Sequence, residues 1–185
     1  LSELRYRVLE TERGGPGSVV SAAVLSIGSN VGDRIGYLRG CVALLGDAVR
    51  MVSPVYATAP WGGVEQDEFL NAILLVEDPN ADALEWLRRA QRCEAAAQRT
   101  RDIRWGPRTL DVDVIDVDQT RRDDPQLTLP HPRAHQRAFV LVPWLDMQPS
   151  AVLAGHGPVA GLVAALPPAE KRGVRRRDEL ELRSP

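Results

Sequence analysis

The chain is predicted to adopt an α+β fold of ferredoxin-like βαββαβ order: an antiparallel sheet with both helices on one face, followed by C-terminal helical additions. Three observations point there. Short apolar runs of strand length recur at 19–27, 49–58, 69–76 and 110–117. Two longer stretches with helical character, 33–45 and 81–97, follow the first and the third of those runs. The second and third runs are separated only by a polar, glycine-bearing loop, which gives two split βαβ units. With 185 residues, 44% of them apolar, the chain is long enough for one cored domain and short for two.

Each element has its own warrant. Residues 1–18 lack a core pattern and end in Gly14-Gly15-Pro16-Gly17-Ser18, so they are expected to be a flexible extension or linker before a domain spanning 19–170. The run 19–27 is β-branched and alanine-rich, a buried strand, and Gly28-Ser29-Asn30 is expected to turn it. From Asp33 to Leu45, the residues Ile35, Leu38, Val42 and Leu45 form one stripe. The run 49–58 reads as a single strand ending at Ala59-Pro60-Trp61-Gly62-Gly63, and Phe69 to Val76 as the next. Asp78-Pro79-Asn80 leads into a helix over 81–97, and the loop 98–109 leads into the last strand. Beyond it lie an extended piece at 127–132, a helix over 137–147 interrupted by Pro143, and another over 159–166. Residues 171–185, densely charged, are expected to be a solvated helix or frayed tail.

Composition excludes several classes. A net charge of −2 gives no general attraction to nucleic acid or to a membrane surface. Arginine supplies nearly all the positive charge, Lys171 being the only lysine, so single surface arginines carry little weight. Cys41 and Cys93 fall among apolar neighbours in the two helical stretches and read as buried reduced thiols. With no apolar run of membrane length and no signal-peptide pattern, a cytoplasmic location is expected.

The chemistry concentrates in Arg104-Trp105-Gly106-Pro107-Arg108-Thr109-Leu110-Asp111-Val112-Asp113-Val114-Ile115. On a strand, Asp111 and Asp113 emerge on one face while Val112 and Val114 are buried on the other. Two adjacent carboxylates repel unless a cation lies between them. Oxygen ligands favour a hard divalent ion, and Mg²⁺ completes its octahedron with water and substrate phosphates. Neighbouring arginines suit phosphate oxygens. Alone, such a pair also fits the solvent face of an edge strand, but the flanking Arg-Trp-Gly-Pro-Arg is costly for a plain surface loop. An aspartyl-phosphatase nucleophile would need an apolar strand running into its first Asp, where this chain has Gly106-Pro107-Arg108-Thr109.

Four segments together resemble the 6-hydroxymethyl-7,8-dihydropterin pyrophosphokinase family of the folate pathway. They are Ser26-Ile27-Gly28-Ser29-Asn30-Val31-Gly32-Asp33, Phe69-Leu70-Asn71-Ala72, the run just described, and Leu129-Pro130-His131-Pro132 with Arg137-Ala138-Phe139-Val140. The likeness covers about Ala22 to Pro149. It implies transfer of pyrophosphate from ATP to the pterin hydroxymethyl oxygen, with release of AMP, and two Mg²⁺ ions held by Asp111 and Asp113. It also implies small-molecule substrates without nucleic acid or membrane and a monomer, with a tie to neighbouring folate enzymes left open.

The same resemblance assigns the other site residues. Arg99 and Arg108 match catalytic, phosphate-contacting arginines, with Arg101 the alternative to Arg99. Gln91, Glu94, Val114, Thr128, His131 and Arg137 match positions around ATP. Phe69 and Phe139, the only phenylalanines, match the faces that stack the pterin ring, and Asn71 would read its edge. Thr58, Ala59, Pro60, Trp61 and Trp105 complete that pocket. The loops around Trp61-Gly62-Gly63 and 99–107 are expected to act as lids. Gln126 stands where some relatives carry arginine. His135 and His156 are given structural roles.

Three rivals are weaker. A non-catalytic nucleotide module would be signalled by loss of either Asp, and both are present. A nucleic-acid-binding sheet would show more than 5% aromatics and a basic face. An Asp-x-Asp glycosyltransferase would need a larger nucleotide-sugar domain.

Overall fold

The computed structural model of the protein describes residues 20–59, 67–98 and 109–182. In chain order these form β1 (Ser21–Ser29), α1 (Arg34–Leu45), β2 (Val49–Val52), β3 (Tyr56–Thr58), β4 (Phe69–Asp78), α2 (Ala83–Ala96), β5 (Asp111–Val117), α3 (Ala138–Met147), β6 (Val152–Leu153), β7 (Gly157–Pro158), α4 (Val159–Ala165), α5 (Pro168–Arg172) and β8 (Val174–Arg176). The main sheet runs β5-β1-β4-β3-β8, with β2 also paired to β4, and its pairs are antiparallel. The expected α+β order with antiparallel pairing is present.

The helices start where the sequence supplies caps. Asp33 accepts from Gly36 N at 3.0 Å ahead of α1, and Asp82 accepts from Glu85 N at 2.6 Å ahead of α2, each satisfying an amide left orphaned by the first turn. One face of α2 carries Trp86, Ala90 and Cys93 into the core, beside Leu38 and Cys41 of α1. With Leu25, Ile27, Leu74, Val112 and Val114 they make one apolar layer, so α1 and α2 do share a face of the sheet. The opposite face, carrying Val24, Ile73 and Ile115, is covered by Leu141 and Trp144 of α3 and Val159 of α4. The sheet is a filled middle layer.

On the outer side of α2, Glu85 is held by Arg88 at 2.9 Å, Arg89 at 3.0 Å and Arg92 at 2.9 Å. Hydrogen bonds from those guanidinium groups bring its pKa from 4.5 down to about 2. A depressed folded-state value stabilises the fold above pH 4.5, and the contribution is lost as pH falls toward 2. Glu85→Gln is therefore expected to lower stability at neutral pH by roughly 0.5–1 kcal/mol, because the pairs are at the surface. The variant should also show a shallower acid limb in urea unfolding between pH 4.5 and 2. Parallel acid limbs in the two proteins would remove this account.

Three expectations need correction. The run 49–58 is two strands, because Ser53 and Pro54 break the ladder. Ser53 Oγ accepts from Ile73 N at 2.8 Å in place of a backbone carbonyl, and proline has no N–H to offer. Gly28 and Ser29 are strand residues, not a turn, since Gly28 is paired on both sides. Finally, the charged stretch 171–185 is not a solvated end throughout: after α5, Val174–Arg176 adds β8 to the sheet edge beside β3. Leu182 is buried, and Leu180 packs against the same core. Residues 1–19 lie outside the described residues, and so does the expected extension.

Candidate active site

The alternation of β5 puts Val112 and Val114 into the α1–α2 layer and turns Asp111 and Asp113 to the other face. Strand register then decides their neighbours. Asp111 is paired with Gly28, Gly28 with Asn71, Asn71 with Tyr56, and Tyr56 with Arg176. Directly paired residues project to the same face, so one row across the sheet runs from a carboxylate, over a glycine, to an amide. Asp113 lies one step along, paired with Ser26.

Asp113 has cationic company. Arg137, immediately before α3, donates from a guanidinium nitrogen to Asp113 Oδ2 at 2.9 Å. His131 Nε2 lies 3.8 Å from the same oxygen. His131 Nδ1 accepts from Arg133 N at 3.2 Å, which leaves the proton of the neutral ring on Nε2, facing the carboxylate. Burial pushes the His131 pKa down, Asp113 opposes this, and Arg137 pushes it further down. The loop is fixed by His131 N donating to Ile115 O at 2.8 Å, which ties it to β5 itself.

Across the row, Asn71 is buried and donates from Nδ2 to Thr58 Oγ1 at 2.8 Å. A Cβ on Gly28 would lie 2.7 Å from Asn71 Oδ1, so only glycine leaves the amide its place. The pair offers a ligand edge an amide acceptor, a remaining N–H and a hydroxyl within a small area. Phe69, beside Thr58 in the ladder, is half-buried yet belongs to neither core layer. Phe139, on α3, is half-buried at the rim of the α3–α4 layer, with the Arg137 guanidinium 5.5 Å from its ring centroid. Behind Asn71, Tyr56 donates to Asp146 Oδ2 at 2.7 Å, an oxygen Arg176 also reaches at 2.7 Å. Burial and that hydrogen bond push the Tyr56 phenol up to about 12.

Thus Asp111, Asp113, Thr58, Phe69 and Asn71 share one face of the sheet, with His131 and Arg137 gathered at Asp113. Ala59 is exposed just beyond Thr58, and Thr128 is half-buried on the segment before His131. The side chain of Val114 is not on that face but in the α1–α2 layer. Gln91 is exposed on α2, while Glu94 is buried and accepts from Val112 N at 3.0 Å, bracing β5 between the two aspartates. His135 and His156 stack on each other, centroids 4.2 Å apart. Arg99, Arg101, Arg108, Pro60, Trp61 and Trp105, with both expected lids, lie outside the described residues. Sequence reasoning missed Gly28 as the spacer of the row and Glu94 as a brace.

The donor set suits a hard cation. Two carboxylates project from one strand face, and carboxylate oxygens are the ligands such an ion takes beside water and phosphate oxygens.

Comparison with known proteins gives a consistent result. Residues 24–149 match the family 7,8-dihydro-6-hydroxymethylpterin-pyrophosphokinase (HPPK). The chain is 50% identical over 169 residues to the 2-amino-4-hydroxy-6-hydroxymethyldihydropteridine pyrophosphokinase of Mycobacterium tuberculosis, covering 84% of this chain and 89% of that one. The Mycobacterium leprae enzyme of the same name is also 50% identical, with 84% and 88% covered. Among solved structures, Plasmodium falciparum HPPK-DHPS wild type with pteroate superposes with a TM-score of 0.61 at 15% identity. That match covers 79% of this chain but 42% of the other, so this chain spans less than half its length, and the likeness is one of fold.

Proposed function

The chain belongs to the 7,8-dihydro-6-hydroxymethylpterin-pyrophosphokinase family, and on that premise we propose how its residues divide the work of moving pyrophosphate from ATP to 6-hydroxymethyl-7,8-dihydropterin. The products are AMP and the pterin diphosphate. The observation that supports the assignment is the row Asp111–Gly28–Asn71, which sets a carboxylate and a primary amide on one face, with a residue lacking a side chain between them.

Asp111 and Asp113 would hold two Mg²⁺ ions together with the triphosphate, and the ions would supply neutralisation of phosphate charge and a lower pKa for the substrate hydroxyl. His131 turns its Nε2–H toward the same place and donates to a phosphate oxygen. Arg137, paired with Asp113, shares its guanidinium with the triphosphate. Arg108 and Arg99, or Arg101 in place of Arg99, bind the transferring phosphates, an assignment that rests on the sequence match. Asn71 and Thr58 read the pterin edge and Phe69 and Phe139 cover its faces, while Ala59, Pro60, Trp61 and Trp105 are assigned to the same pocket by the sequence match alone. Gln91, Glu94, Val114 and Thr128 line the nucleotide side, Glu94 by bracing β5 and Val114 by its backbone. In-line attack on the β-phosphorus needs alignment and charge stabilisation, with no covalent enzyme intermediate.

Incubation with ATP, Mg²⁺ and 6-hydroxymethyl-7,8-dihydropterin tests this. AMP and a pterin diphosphate are expected in equal amounts, abolished by a chelator and restored by added Mg²⁺. ADP as the nucleotide product would mean γ-phosphoryl transfer and a misread site.

A further inference from the structure

We propose that Arg34 and Arg175, working from the face of the sheet opposite the active site, are positioning residues that set the ring of Phe69 against the pterin. The proposal rests on the pterin pocket assigned above. Phe69 is the first residue of β4, paired there with Thr58. Downstream it is held by the ladder; upstream, its backbone direction depends on what holds Glu68. Arg34, the first residue of α1, donates from a guanidinium nitrogen to the Glu68 backbone carbonyl at 2.7 Å. Arg175, in β8, pairs with the Glu68 carboxylate.

Both arginines come from the α1–α2 side. The α1 helix is anchored in that layer by Leu38, Cys41 and Leu45, and Arg175 is paired in the ladder with Ala57, a residue of the same layer. Glu68 is therefore tied to a helix and to the edge strand at once, while Phe69 turns the other way. The same strand β8 sets Val174 beside Thr58, the residue that accepts from Asn71, and Val174 packs on the α3 layer. Neither link touches the metal or nucleotide groups, so the effect falls on the pterin alone.

The two links are unequal. The Arg175 and Glu68 side chains are 58% and 42% exposed, so solvent screens that pair. Arg34 makes a part-buried, charge-assisted bond to backbone, which fixes a direction and not only a distance.

Steady-state kinetics of the full chain test this. Arg34→Ala is expected to raise the pterin KM about tenfold, and Arg175→Ala about twofold, with kcat and the ATP KM held within about twofold. Arg34→Lys should restore part of the loss. Glu68→Ala, which keeps the carbonyl but not the carboxylate, should match Arg175→Ala. An unchanged pterin KM in Arg34→Ala overturns the inference, and so does a fall in kcat with a rise in both KM values, the mark of general loosening. Phe69→Ala separates the two levels. If it raises the pterin KM while Arg34→Ala does not, only this inference fails; if it leaves the pterin KM unchanged, the stacking assignment fails and takes this inference with it.

Discussion

Asp111→Ala and Asp113→Ala are each expected to lose at least about a thousandfold in turnover, the scale set by removing a group that stabilises charge developing in the transition state. The two losses should differ in kind. Asp113 also receives Arg137 at 2.9 Å and faces His131 Nε2 at 3.8 Å. Its removal leaves a half-buried guanidinium without that carboxylate, and the triphosphate is the natural replacement. Metal-free ATP should therefore bind Asp113→Ala at least as tightly as it binds the parent, while Mg²⁺ no longer promotes turnover. Asp113→Asn keeps the shape but not the charge and should be as inactive as the alanine variant. Asp113→Ala should lower the thermal midpoint slightly, because it leaves Arg137 without its carboxylate partner. Near-parent turnover in either alanine variant, at saturating Mg²⁺, would sink the metal assignment.

What was legible in the sequence follows the range of the interactions concerned. The shared face of Asp111 and Asp113 could be read directly, because alternation along a strand is a property of the backbone. The caps at Asp33 and Asp82 are local too, yet the expected helices 33–45 and 81–97 take both residues into the helix instead of setting them at its boundary. Register between strands distant in sequence is not local: nothing near Gly28 announces that Asp111 will flank it on one side and Asn71 on the other. That is why Gly28-Ser29-Asn30 reads locally as a turn, whereas Gly28 in fact makes room for the Asn71 amide. The strand β8 was hidden for a related reason. Val174-Arg175-Arg176 has the composition of a charged tail and becomes a strand only because β3 offers a free edge. Glu94 carried a weaker signal that was available. It adjoins Cys93 on the buried side of α2, four residues after Ala90, where a carboxylate needs a partner, and Val112 N supplies one.

Asn71→Ala is expected to weaken pterin binding about 10- to 100-fold, equivalent to about 1.5–3 kcal/mol for a lost buried hydrogen-bonding pair, with MgATP affinity unchanged. The amide is committed on one side, its Nδ2 to Thr58 Oγ1 at 2.8 Å, so its remaining N–H and its Oδ1 are aimed and not free to search. That preorganisation is what Gly28 protects. Gly28→Ala would drive a methyl group to 2.7 Å from Asn71 Oδ1, so the amide must rotate off Thr58 or the strands must part. Rotation is the cheaper response, because the clashing atom is the end of a side chain while the backbone on both sides is held in the ladder. Gly28→Ala should then reproduce most of the pterin defect of Asn71→Ala in a folded protein. Because the two changes act through one amide, the double variant should be little worse than Asn71→Ala alone. Additive losses in that cycle would mean that Gly28 meets the substrate by its own backbone and not through Asn71. Unchanged pterin affinity in Asn71→Ala would remove the amide from the pocket altogether.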